Sequence, residues 1–147
     1  MKIRRITAAG AASALPLLEA QYREHDIAMG GARLLRAVRL LLRGHGAIFL
    51  ALDPEPVGVA LLSYQITVEQ GGRVAWLEEL YVVPARRGHG LGRALLLHAL
   101  GAARKAGCVS AELEVVRGHE RAARLYRREG FRELPRARFS RVLQAWT

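Results

Sequence analysis

The chain has 147 residues, a formal net charge of +10, 51% hydrophobic and 24% charged residues. That length and balance predict one globular domain over residues 1–147 with a single hydrophobic core, and exclude a disordered or fibrous chain. No apolar run approaches the roughly 18–20 residues of a membrane span, no signal-like apolar stretch follows the basic Met1–Ile6, and Cys108 stands alone, which excludes an internal disulfide or a multi-cysteine metal site.

These bounds make the cytoplasm the expected compartment, with no membrane partner and no metal. The charge favours anionic ligands through long-range attraction. All basic residues except Lys2 and Lys105 are arginines, spread along most of the chain rather than gathered in one run. Nucleic acid is therefore not expected as the main partner.

In chain order, Lys2 to Thr7 alternates weakly through Ile3 and Ile6 and reads as a first strand. Ser13 to Arg23 places Leu15, Leu18 and Tyr22 at helical spacing, with Pro16 tolerated in a first turn. Glu24-His25-Asp26 is a polar break. Ala32 to Arg43 is an amphipathic helix through Leu34, Leu35, Val38, Leu41 and Leu42, stopped by Gly44 and Gly46. Ala47 to Leu52, Val57 to Val68 and Arg73 to Val83 read as three strands joined by two short turns, an antiparallel meander. A helix from Leu91 ends at Gly107, and a strand follows over Val109 to Val116. A helix over Glu120 to Glu129 comes next, then two short strands, Phe131 to Leu134 and Arg138 to Leu143. The fold class is α/β (α+β): a mixed, mostly antiparallel sheet of about six to seven strands with about four helices.

The most specific stretch is Trp76-Leu-Glu-Glu-Leu-Tyr-Val-Val-Pro-Ala-Arg-Arg-Gly-His-Gly-Leu-Gly-Arg93. It reads as a strand, a basic turn and three alternating glycines opening a helix. Gly88, Gly90 and Gly92 bare the backbone where helix N–H groups lack intrahelical partners, a cradle for phosphate. A Walker loop needs Gly-Lys-Ser/Thr, whereas Gly92 is followed by Arg93-Ala94. A dinucleotide fingerprint begins directly after its strand, whereas Pro84 to Arg87 intervene here, and too little chain follows for further βαβ units.

Arg87-Gly-His-Gly-Leu-Gly92 resembles the R/Q-x-x-G-x-G/A motif of the GNAT superfamily of acetyl-CoA-dependent N-acetyltransferases. Leu80-Tyr-Val-Val-Pro84 is similar to that family's strand end. Ala122-Ala-Arg-Leu-Tyr-Arg-Arg-Glu-Gly-Phe131 is similar to its A-x-x-L-Y-x-x-x-G-F helix. The resemblance implies an acetyltransferase that binds acetyl-CoA and acts on a primary amine, most simply of a small molecule. A peptide or protein amine, and a non-catalytic acyl-CoA-binding module, are the alternatives. It also allows a homodimer.

Carried over residue by residue, Arg87, Gly88, His89, Gly90, Leu91, Gly92 and Arg93 would hold the pyrophosphate. The backbone of Leu80, Tyr81, Val82 and Val83 would pair with the pantetheine arm, with the Val82 N–H facing the thioester oxygen. Tyr126 would be the general acid toward the departing thiolate, since a phenol with pKa near 10 stays protonated and able to donate. Ala122 and His119 would lie against the cofactor, His119 standing where the family often has asparagine. Glu78 and Glu79 are the candidate bases. Adjacent strand residues point to opposite faces, so at most one serves unless a bulge intervenes, and Glu78 is slightly preferred. Glu24, His25, Asp26, Tyr64 and Phe139 are candidates for the acceptor pocket.

Overall fold

The apolar run Ala47–Ala51 has no polar face, so it is stable only as a strand covered on both sides. It forms β2 (Gly46–Leu52), buried along all but its last residue, in a computed structural model that describes residues 1–144. β1 (Lys2–Arg5) and β3 (Pro56–Thr67) flank it antiparallel. β4 (Gly72–Val82) pairs antiparallel with β3, and β5 (Ser110–Glu112) pairs parallel with β4. The sheet order is β1-β2-β3-β4-β5.

Two helical layers cover the sheet. On one face, α1 (Leu15–Glu24), α2 (Gly31–Leu41) and a 3-10 turn over Ala8–Ala14 bury Ala11, Ala14, Leu17, Leu18, Leu34 and Val38. These pack against Ile48, Leu50, Val59, Leu61 and Tyr81. The other face receives α3 (Leu91–Lys105), whose Leu91, Leu95, Leu96, Ala99 and Ala103 are buried. The alternation in β2 and β3 thus sends Ile48, Leu50, Val59 and Leu61 to the α1–α2 side. Phe49, edge-on to His98 of α3, and Gly58, close under Leu95, mark the α3 side.

These elements fall within a few residues of the sequence expectations, and the mixed, mostly antiparallel sheet and four α-helices are present. The strand number is five among the described residues. The strand expected over Val109–Val116 is limited to Ser110–Glu112, and neither Phe131–Leu134 nor Arg138–Leu143 is a strand. The physical reason is that alternation stabilises a strand only when one face is buried. Arginines and Pro135 interrupt this segment, and Phe139 and Leu143 are 92% and 87% exposed.

One compact unit spans Met1–Glu114, and a second begins at Val115 and contains α4 (Glu120–Arg128). Among the described residues, no helix is long and apolar enough to cross a membrane.

Candidate active site

The loop between β4 and α3 explains two of its three glycines directly. Gly88 and Gly90 adopt φ of 83° and 80°, a left-handed region that a side chain disfavours. Gly90 is the N-cap of α3, so Leu91, Gly92 and Arg93 form its first turn, where N–H groups lie outside the helical ladder. A 15-residue helix also carries its positive dipole end here. His89 is exposed between the two left-handed glycines. The result is a stretch of bared backbone at the positive end of a helix.

Just before this loop the sheet opens. β4 pairs with β5 only from Val74 to Trp76, while its pairing with β3 continues to Val82. From Leu77 onward the β5-facing edge of β4 therefore has no ladder partner among the described residues. The Val83 N–H donates to the Val57 carbonyl at 3.0 Å, toward β3. Peptide groups alternate sides along a strand, so Val82 and Leu80 direct their N–H and C=O to the open edge. Tyr81 and Val83 direct theirs to β3. Of the four backbone candidates, Leu80 and Val82 thus face the open edge, the Val82 N–H nearest the loop, while the Val82 carbonyl accepts from Arg87 Nε.

β4 also carries an extra residue. Leu61 faces Glu79 and Leu62 faces Leu77, so Glu78 sits in a bulge. The bulge removes the strict alternation that would have sent the two glutamates to opposite faces, and both carboxylates act on the same phenol, that of Tyr22 in α1. The Tyr22 phenol and the Glu79 carboxyl are close enough to shift one another's titration. Burial pushes the Glu79 carboxyl up to about 7; the Tyr22 hydroxyl pulls it down, and the Glu78 charge adds to the rise. The Tyr22 phenol is held well above its ordinary range, first by burial and then by the Glu79 charge, so it remains a donor. Glu78 is exposed, whereas Glu79 is half-buried. Of the two adjacent acids, Glu79 has the environment of a general base.

The arginines of the motif have protein partners. Arg86 donates to Asp53 Oδ2 at 2.5 Å and to the Asp53 carbonyl at 3.0 Å. Arg87 donates to both Glu24 carboxylate oxygens at 2.9 and 3.0 Å and, through Nε, to the Val82 carbonyl at 2.8 Å; its guanidinium lies 5.4 Å from the Tyr81 ring centroid. Arg87 therefore ties the end of α1 to the end of β4. Glu24, a candidate for the acceptor pocket, is already neutralised by that pair. Tyr64 shares the α3 side of the sheet with Gly58 and Leu62, on the face away from Glu79, where Arg73 lies 5.5 Å from its ring centroid. It does not line a pocket with Glu79. Asp26 keeps its place beside the end of α1, in a left-handed conformation with φ of 55°. Cys108 is half-buried, and burial raises its thiol pKa, the opposite of activation.

The second unit holds His119, Ala122 and Tyr126. His119 is the N-cap of α4, with its carbonyl accepting from the Ala123 N–H at 3.2 Å. Ala122, Leu125 and Tyr126 are half-buried along one stripe of the helix. The Gly-Phe pair is the helix stop. Phe131 N–H donates to the Tyr126 carbonyl and Gly130 N–H to that of Arg127, at 3.0 and 3.1 Å, with Gly130 at φ of 92°. This is a Schellman cap, and the Phe131 ring completes it by packing edge-on against Tyr126 at 5.9 Å. The Y-x-x-x-G-F pattern is thus a device that fixes a tyrosine at a helix end.

Residues 13–131 match the model of the acetyltransferase (GNAT) family. The chain belongs to that family. The GNAT fold is also the one found among solved structures. An integron cassette protein from the mobile metagenome of Cole Harbour Salt Marsh is 26% identical, with a TM-score of 0.84, covering 97% of this chain and 91% of that one. A protein of Arthrobacter sp. FB24 assigned to the acetyltransferases is 35% identical, with a TM-score of 0.83, covering 97% and 96%. The aminoglycoside N-acetyltransferase AAC(6')-Iy in complex with CoA is 21% identical and shares the fold, with a TM-score of 0.80, covering 97% and 95%.

As a GNAT acetyltransferase, the protein is an acetyl-transfer enzyme of a family that uses acetyl-CoA. The glycine loop and the open edge of β4 are the features here that suit that cosubstrate. The partnership of Glu79 with Tyr22 was not legible in the sequence. Tyr22 lies four residues after Leu18, a spacing that marks a core position and says nothing about where a hydroxyl points.

Proposed function

We propose that this GNAT enzyme acetylates the primary amine of a small, positively charged molecule by direct attack while both substrates are bound, with Glu79 as the base and residues 1–147 serving as one catalytic domain. The observation that carries this reading is a half-buried carboxylate with pKa about 7, three residues before Val82 on the strand with the open edge. A base works best when its pKa lies near the operating pH, because it is then largely ionised and still holds a proton well. Three residues of strand span about 10 Å, so the proton travels from the amine to Glu79 through water rather than by direct contact.

Acetyl-CoA supplies the activated acetyl group. Gly88 to Gly92, through backbone N–H groups and the α3 dipole, would hold its pyrophosphate, and Leu80 and Val82 its extended arm. The Val82 N–H would stabilise charge developing on the acetyl oxygen. The ammonium gives one proton toward Glu79 and its nitrogen bonds the acetyl carbon. The carbon–sulfur bond breaks, Tyr126 would give its phenol proton to the departing sulfur, and the second proton, which nitrogen sheds as the amide forms, would restore the phenol. His119 and Ala122 would line the cofactor.

A cationic acceptor follows from local charge. Glu78, Glu79 and Asp26 are acids on a chain with a net charge of +10, which otherwise repels cations and attracts the anionic cosubstrate. The solved aminoglycoside N-acetyltransferase of the same fold is consistent with a small amine. A lone cysteine with no disulfide suits a cytoplasmic setting. The test is release of free thiol from acetyl-CoA with a panel of small primary amines and amine-bearing peptides. Turnover with at least one small cationic amine is expected. Tight acetyl-CoA binding with no turnover on any amine would identify a non-catalytic module, and turnover with peptides alone would move the acceptor to proteins.

A further inference from the structure

A glycine loop does not hold its own shape. The β4 ladder ends where the Val83 N–H meets the Val57 carbonyl, and α3 begins at Leu91. Between them Gly88 and Gly90 have wide conformational freedom, so a cradle for an anion has to be set from outside. Two arginines stand at its entrance. Arg86 reaches the Asp53 carboxylate and carbonyl in the turn between β2 and β3, at 2.5 and 3.0 Å. Arg87, extended and adjacent to Gly88, reaches further: Nη2 donates to both Glu24 oxygens at 2.9 and 3.0 Å, Nε donates to the Val82 carbonyl at 2.8 Å, and the guanidinium lies over the Tyr81 ring. Glu24 is the last residue of α1, where the helix dipole disfavours a carboxylate. Its place is fixed by a Schellman cap, with the Ile27 N–H on the Tyr22 carbonyl at 2.8 Å and Asp26 in the left-handed position. The acid costs its own helix something and turns both oxygens to the residue beside the loop.

We propose that Glu24 and Arg87 are a positioning pair for cofactor capture: Glu24 holds the Arg87 guanidinium against the end of β4, and that hold sets the course of the backbone through Gly88 to Gly90, where the pyrophosphate is received. This rests on the loop being the pyrophosphate site, and it replaces direct contact between the Arg87 charge and phosphate. The two roles for Arg87 differ in sign. If the guanidinium were a phosphate ligand, Glu24 would compete for it, and removing the Glu24 charge would release Arg87 and tighten acetyl-CoA. If the pair positions the loop, removing that charge loosens the loop and weakens binding. It does so against the electrostatic gain that deleting an acid brings to an anionic ligand. Geometry separates the roles as well. A planar guanidinium serves the carboxylate and the Val82 carbonyl at once while lying over a ring, whereas a lysine ammonium keeps the charge without that fixed arrangement.

Glu24→Gln keeps the shape of the side chain and removes its charge. Calorimetry with acetyl-CoA is expected to show affinity weakened about two- to fivefold, the range that a partly exposed ion pair spans. The KM for acetyl-CoA should rise by the same factor with kcat nearly unchanged, and amide exchange at Gly88, His89 and Gly90 in the free protein should speed up. Arg87→Lys keeps the charge and should weaken binding by a similar factor. The two changes together should cost little more than the larger one alone, because both break one bridge. Unchanged or tighter binding in Glu24→Gln would overturn the proposal, and so would wild-type affinity in Arg87→Lys. Gly90→Asp separates this from the loop assignment. If that variant keeps its affinity, the loop is not the pyrophosphate site; if it loses affinity while Glu24→Gln does not, the loop stands and the pair has no positioning role. Should Arg87→Lys fail to fold, Glu24→Gln decides alone, since it relieves the end of α1 of a carboxylate its dipole disfavours.

Discussion

At the scale of single residues, two tyrosines, Tyr22 and Tyr126, occupy the same place relative to a helix stop. The Tyr22 and Tyr126 carbonyls each accept the N–H of the residue five positions on, Ile27 and Phe131, in a Schellman cap. The caps differ in their left-handed residue: Gly130 costs little there, whereas Asp26 does not belong there by intrinsic preference. Asp26→Gly is therefore expected to raise stability by about 0.5–1 kcal/mol in denaturant melts, and any loss of acetylation in that variant would show Asp26 touching the acceptor. Tyr126→Phe keeps the edge-on contact with Phe131 but removes the acid, so kcat should fall about 10²-fold or more while acetyl-CoA affinity changes little. Glu79 has a thermodynamic signature as well. Its folded-state pKa of about 7 exceeds the ordinary 4.5, so the native chain holds the proton more tightly than the unfolded one. Its contribution favours the fold below about pH 4.5 and is lost as pH rises to about 7. Glu79→Gln should flatten that slope and stabilise the protein at pH 8 by an amount on the order of 1–3 kcal/mol, measured by urea unfolding at pH 5 and pH 8.

At the scale of elements, periodicity found what periodicity controls. The amphipathic helices over α1, α2 and α3, and the meander of β2 to β4, were legible because their apolar spacing is set by burial. The bulge at Glu78 was not, since one extra residue in β4 leaves no mark in the pattern. It decides the relation between Glu78 and Glu79, for which alternation alone gives opposite faces. The strands expected after Phe131 fail for the converse reason: a short apolar alternation was present without a buried face to reward it. The glycines at 88 and 90 were legible as left-handed positions, but the partners of the loop's arginines were not. Arg86 and Arg87 are each paired with a carboxylate more than 30 positions away, which no local spacing reveals. Gly90→Asp tests the loop at this scale. It forces a side chain into a left-handed N-cap and sets a negative charge at the dipole end, so acetyl-CoA binding by calorimetry should be lost while the fold persists. Retained affinity would remove the loop from the cofactor site.

At the scale of the whole molecule, the net charge of +10 acts on the cosubstrate more than on the acceptor. Long-range attraction to an anionic ligand is screened over about 10 Å at 0.1 M salt. The KM for acetyl-CoA should accordingly rise several-fold between low and high ionic strength, with kcat changing little; a salt-independent KM would leave the charge without a role in capture. The central claim is that a tuned carboxylate on β4 deprotonates the amine in this GNAT enzyme, and kcat/KM against pH for the wild type and Glu79→Gln tests it most directly. An acid limb near pH 7 is expected in the wild type, and in the variant a loss of that limb with a fall of about 10²–10⁴-fold at pH 8. The same limb and comparable rates in both proteins would contradict it.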